Sequence, residues 1–254
     1  MMIIILSPSK TLDLLSIPED INITRPEFMD EATGLMKVLK SSNKNDLALK
    51  MKLSESLSIT VDAWHKDWND TINDAYPTAF TMKGEAFKAL NMRSLSKSDL
   101  AYAQERLFIL SGLYGALRPC DGIKPFRLEM GQTFKPDNGS ETLNRFWGER
   151  LVKYFNEKLG RDQVLINLAS DEYNKVLLKP TLQARVINFD FKVSTDKGLK
   201  NISVFSKQAR GALSRFIIRN RIEDIEKLKD FNNLDYKFNT ELSGSEKFTF
   251  IKET

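Results

Sequence analysis

Five cations and no carboxylate fall between residues 207 and 221 of this 254-residue chain: Lys207, Arg210, Arg215, Arg219 and Arg221. At roughly 100° per residue they spread around the side of a helix opposite Ala209, Ala212, Leu213, Phe216 and Ile217, with Ile218 as the exception. A helix buried on one face and cationic on the other offers a surface to phosphates. Ser206, a good N-cap by type, and Lys207 could hold an anion at its start. The same pattern also describes an ordinary solvated face.

Four apolar segments end alike. Leu6 leads into Ser7, Leu110 into Ser111, Leu168-Ala169 into Ser170 and Phe205 into Ser206, and a cation follows each: Lys10, Arg118, Lys175 and Lys207. Open α/β sheets bind ligands outside the carboxyl ends of their strands, so a common strand direction would line one cleft with these exits, suited to a phosphate-bearing ligand. Serine is also a frequent cap between strand and helix, which is the plainer explanation. Glu129 and Glu172 supply carboxylates nearby. Held beside Lys10 and Arg127, either could act as a general acid or base, or simply form an ion pair. Gly112 and Gly115 flank the second exit and allow close backbone approach, but their spacing fits neither a dinucleotide nor a triphosphate loop.

Composition narrows the chemistry. One cysteine, Cys120, excludes an internal disulfide and a multi-thiolate metal site; one histidine, His65, excludes multi-histidine sites and disfavours a histidine triad. His65, between Trp64 and Trp68, reads as structural or surface. No metal site and no cofactor are expected. The net charge is only +4, with 41% hydrophobic and 28% charged residues, so the chain reads as soluble and globular. The positive charge is local, because residues 222–254 carry five lysines against eight acids. MMIIIL is too short for a signal peptide and no stretch is long enough to span a bilayer, which places the chain in the cytoplasm without a membrane partner.

The elements that must position these residues follow from periodicity. Met2–Leu6 is a continuous apolar run, predicted as a strand buried on both faces. Residues 27–39 and 45–63 read as amphipathic helices, and 85–90 as a helix after the turn Thr81-Met82-Lys83-Gly84. A further helix starts at Ser96 or Ser98, and 142–159 is a helix stopped by Gly160. Residues 107–110, 164–166, 184–193 and 202–205 are predicted strands. A short helix spans 171–178 and a helical piece 225–231, while 234–239 and 247–251 read as antiparallel edge strands. No repeat or linker appears, which suggests one domain over 1–254, of mixed α/β class, its sheet flanked by helices and a positively charged cleft at the strand ends.

Taken in order, ILSPSKTLD, TMKGEAFKAL, LFILSGLYGALRP, IKPFRLEMG, the Trp147 helix, INLASDEYNKV and VFSKQARGALSRFII resemble the YaaA family of peroxide-stress resistance proteins. The match extends from Ile5 to Ile218. The resemblance implies a cytoplasmic protein that helps cells survive hydrogen peroxide by limiting free intracellular iron. It further implies DNA binding through a positively charged cleft on a mixed α/β fold with a helix-hairpin-helix-like element. Lys10, Lys83, Arg118, Arg127, Lys175, Lys207, Arg210 and Arg215 match family motifs and are the DNA-contact candidates it implies. The usual hairpin is Gly-apolar-Gly, whereas the nearest match here, Gly112-Leu113-Tyr114-Gly115, is one residue longer.

The leading expectation is therefore a stress protein that binds DNA, double-stranded or structurally perturbed, through its backbone and shape. Tyr114 or Tyr173 could stack on an exposed base or belong to the core. No obligate protein partner is evident. The alternative is an enzyme acting on a nucleotide, nucleobase or damaged DNA, with Glu129 or Glu172 as acid/base. Direct iron sequestration is a third reading, weakened by the absence of a two-histidine-carboxylate set or a Glu-x-x-His pair.

Overall fold

A computed structural model describes residues 2–15, 20–136, 142–160 and 163–253. The chain runs β1 (Met2–Leu6), α1 (Met29–Ser41), α2 (Lys44–Lys50), α3 (Glu55–Asp67), β2 (Tyr76–Pro77), α4 (Thr78–Thr81) and α5 (Glu85–Leu90). It continues through α6 (Lys97–Arg106), β3 (Leu107–Ser111), β4 (Gly115–Leu117), β5 (Gly122–Ile123), α7 (Leu143–Lys158), β6 (Val164–Leu168) and α8 (Asp171–Asn174). The last elements are β7 (Arg185–Thr195), β8 (Gly198–Lys200), α9 (Ser203–Asn220), β9 (Tyr236–Phe238) and β10 (Lys247–Lys252).

An eight-stranded mixed sheet, ordered β4-β3-β1-β6-β7-β10-β9 with β8 paired to β7, forms the centre. Strands β3, β1, β6, β7 and β10 are mutually parallel along this order. Every residue of β1, β3 and β6 is buried, which is why these segments are continuously apolar rather than alternating. Helix α7 packs on β3, with Phe155 edge-on to Phe108 at 5.2 Å between ring centroids. The register aligns Leu6 with Ile109 and with Leu168, so β1, β3 and β6 release the chain at one end of the sheet.

Several elements depart from the sequence expectation. Residues 202–205 are no strand: α9 begins at Ser203, and Ser206 lies within it, its hydroxyl donating to Phe191 O at 3.3 Å instead of capping. Four alternating residues are too few to outweigh the helical stripe that follows them. The 45–63 helix is two helices, because Lys52 turns left-handed (φ 52°) and Ser54 then caps α3 by accepting the Leu57 N–H. Strand β10 is parallel to β7 and sits inside the sheet; of the two late strands, β9 alone is an antiparallel edge. Its pairing partner is about sixty residues away, a non-local choice that alternation cannot reveal. The 171–178 helix keeps only α8, and 225–231 is a 3-10 turn over Glu226–Asp230.

Gly112-Leu113-Tyr114-Gly115 joins β3 to antiparallel β4, so it is the turn of a β-hairpin, not a link between two helices. Its glycines admit the chain's own parts. A Cβ on Gly112 would lie 2.5 Å from Leu128 O, and one on Gly115 (φ 68°) would lie 2.6 Å from the Trp147 ring. Leu128 and Glu129 are thereby drawn against the exit of β3.

Candidate functional site

At the carboxyl ends of β1 and β6 the structure opens a cavity of about 500 Å³. Ser7 and Ser170 meet there: Ser7 Oγ accepts the Ser170 N–H at 2.8 Å and donates to Ser170 Oγ at 3.1 Å. These two of the four serine exits converge as expected. Ser111 instead accepts the Tyr114 N–H inside the β3–β4 turn.

The segment after Ser7 is fixed against the turn before α5. Asp13 N–H donates to Thr81 O at 2.7 Å and Lys83 N–H to Thr11 O at 3.0 Å. Gly84 faces Ser9, whose hydroxyl would lie 2.9 Å from a Cβ placed there. This pairing holds Lys10 and Lys83 on the rim. Helix α9 forms the opposite wall with Lys207 and Arg210, which are three residues apart and share one face. Helix α9 approaches α5 so closely that Gly211 stands 2.9 Å or nearer, at its would-be Cβ, to the Ala86 backbone.

Five cationic side chains (Lys10, Lys83, Lys88, Lys207, Arg210) and two acidic ones (Glu85, Glu172) line the cavity. Glu85 takes Lys88 at 2.5 Å and the Gln208 amide at 2.7 Å. Sequence reasoning missed Glu85 and Lys88 as lining residues. The Glu85–Lys88 spacing was visible, but nothing linked it to Gln208, 123 positions from Glu85. Glu172 accepts the Gly131 N–H at 3.2 Å. Arg210 differs from the rest. Its Nε is sealed from solvent without a hydrogen-bond partner, and it forms no ion pair among the described residues. Burial pulls its guanidinium below the usual arginine range, opposed by the charges of Asp171 and Asp190.

A side lobe carries the second carboxylate. Glu129, only 12% exposed, is ion-paired to Lys10 and, at 2.6 Å, to Arg127. Arg127 also donates to Lys10 O at 3.4 Å, and its own N–H points to His65 Nε2 at 3.4 Å. His65 is thus a structural residue, and burial pushes its imidazole down to about 4. Tyr173 closes the floor of the lobe as a buried side chain whose phenol is pushed up by burial and then by Glu172 and Glu129. Tyr114 is likewise core, its hydroxyl accepting from Trp68 Nε1 at 2.8 Å and from Lys124 N–H at 3.1 Å. Neither tyrosine is available to stack on a base.

Lys10, Lys83, Arg127, Lys207 and Arg210 therefore come together, with Glu129 and Glu172 among them. Three other sequence candidates do not line this cavity. Arg118 leaves β4, which runs antiparallel to β3, and so returns toward the amino end of that strand. There it grips the buried Asp121 with Nη2 at 3.0 Å and Nε at 3.2 Å, while Thr24 donates to the same carboxylate at 2.7 Å. Arg215 donates to Leu90 O and Asn91 O, both at 3.0 Å, and so caps the carboxyl end of α5. Lys175 is exposed just beyond α8 and outside the lining.

Among the described residues no group of three or more His, Cys, Asp or Glu side chains is placed to hold a metal ion, and no helix is long and apolar enough to cross a membrane. Cys120 is buried and its thiol is pushed up to about 11, so it stays protonated at neutral pH, the form that does not attack a peroxide.

Comparison with known proteins adds a family. A family model described as peroxide stress protein YaaA matches residues 2–242. A UPF0246 protein of Marinomonas sp. (strain MWYL1) is 38% identical over 250 residues, covering 98% of this chain and 96% of the relative. A UPF0246 protein of Clostridium perfringens (strain SM101 / Type A) is 40% identical over 255 residues, covering 99% of this chain and all of the relative.

Proposed function

The chain belongs to the YaaA family of peroxide stress proteins, and on that premise we propose that it acts in the cytoplasm on DNA, binding the phosphate backbone in the cavity and along its rim. In this reading it limits oxidative damage and free intracellular iron. The observation that carries this reading is the convergence of Lys10, Lys83, Arg127, Lys207 and Arg210 from four separate stretches of chain at the carboxyl ends of parallel strands. Cations gathered this way neutralise phosphates and release counterions, and they carry no base-reading pattern of their own.

Duplex binding should weaken steeply as salt rises. Lys83→Ala combined with Lys207→Ala removes two exposed side chains and should lower the slope of log affinity against log salt by about 2, with affinity falling about tenfold or more. Fluorescence anisotropy across a salt series measures both. Binding indifferent to salt and to the double variant would reject the reading.

A second reading, an enzyme acting on a nucleotide, nucleobase or damaged DNA, is favoured by one observation: Glu129 is held in an enclosed lobe by two cations next to the cavity. Glu129→Gln separates the two. Loss of peroxide protection with DNA affinity intact points to chemistry; retention of both leaves Glu129 an ion-pair partner.

A further inference from the structure

Arg210 has no ion-pair partner among the described residues, and of the cations lining the cavity it is the one with a nitrogen both sealed from solvent and unbonded. Lys10 has Glu129, Lys88 has Glu85, and Arg127 has Glu129, whereas no described carboxylate or carbonyl meets the Arg210 side chain. Its Nε is sealed from solvent with no hydrogen-bond partner, and a buried polar group left unpaired is costly. Asp171 and Asp190 act on it by their charge alone, without an ion pair or hydrogen bond. Lys207, one turn away on α9, is exposed and forms no ion pair among the described residues, and Lys83 reaches Asp13 only at 4.0 Å. Of these three cations only Lys83 has a described carboxylate within ion-pair reach.

Arg210 is half-buried in the cavity wall with its Nε sealed, which restricts what can reach it. Phosphodiesters within a duplex are flanked by strand on both sides and meet side chains that project outward. The cavity's volume of about 500 Å³ falls in the range that encloses one small ligand. A phosphomonoester differs from a diester in two respects. It hangs from a single bond and can enter a recess, and at neutral pH it carries close to two negative charges rather than one.

We infer that the cavity seats a phosphomonoester, with Arg210 as its forked donor and Lys207 and Lys83 as point charges beside it. The source is either the phosphate-bearing end of a DNA strand or a free mononucleotide. This rests on the DNA reading above only for the strand end. It also fits peroxide stress, since radical attack on deoxyribose breaks strands and leaves phosphate ends.

The test compares a gapped duplex carrying a 3′- or 5′-phosphate at the gap with the same duplex ending in hydroxyls. Wild-type protein should prefer one of the phosphate ends by about tenfold, the worth of one good charge-assisted contact. That ratio should collapse toward one in Arg210→Gln. Should that variant fail to fold, Lys207→Ala, an exposed position, should reduce the ratio in the same direction. Equal affinity for phosphate and hydroxyl ends overturns the strand-end source while leaving backbone binding standing. Calorimetric titration with dAMP then decides the remainder, and decides it also if no DNA binds at all. Saturable binding of dAMP lost in the variants establishes a mononucleotide seat, and no binding ends the inference.

Discussion

Gly211→Ala is expected to destabilise the protein by about 2 to 3 kcal/mol, although alanine is the better helix former by about 1 kcal/mol. The added methyl group would fall inside the contact distance of the Ala86 carbonyl oxygen and 2.7 Å from its carbon. Both are backbone atoms, so the strain cannot be relieved by turning a side chain; α9 must move away from α5. Gly34→Ala is the control, since Gly34 lies in α1 with nothing within 4 Å of the new Cβ. That change should stabilise by about 0.5 to 1 kcal/mol. Denaturant unfolding of both variants measures the contrast, and a Gly211→Ala protein as stable as Gly34→Ala would refute the close crossing. Because Lys207 and Arg210 ride on the same helix, the shift should also weaken DNA binding.

Acid should loosen the site through His65. Burial holds its imidazole at about 4 in the folded protein, against about 6.5 when unfolded. A depressed histidine is neutral in the fold, so its contribution is complete above pH 6.5 and is lost as pH falls toward 4, where only the unfolded chain takes up the proton. Between pH 7.5 and 4.5 this should remove about 2 to 3 kcal/mol of stability. Protonation at Nε2 would also break the contact from Arg127 N–H, on the same loop that holds Glu129. His65→Gln keeps an acceptor without the titration and should show a correspondingly smaller acid loss. Identical pH dependence in the two proteins would remove His65 from this role.

Much of this was legible in the residues. Continuous apolar runs marked β1, β3 and β6 as buried strands, because a strand covered on both faces has no reason to alternate. Of the two starts that the sequence offered, Ser96 caps α6, and the apolar stripe of 142–159 marked α7, both through contacts close along the chain. The Ser exits at Ser7 and Ser170 converged as expected, and the motifs placed the chain in its family. Where the sequence failed, the deciding contact was distant. Strand β10 lies parallel beside β7 rather than at an edge, and residues 202–205 joined α9 rather than the sheet. Cation type could not separate ligand-facing from structural roles: Arg118 was claimed by Asp121 and Arg215 by the carbonyls of Leu90 and Asn91. Only packing left Arg210 without a partner. Local propensity and pattern act within a few residues and so can be read along the chain, whereas a charge is neutralised by whatever the fold brings next to it.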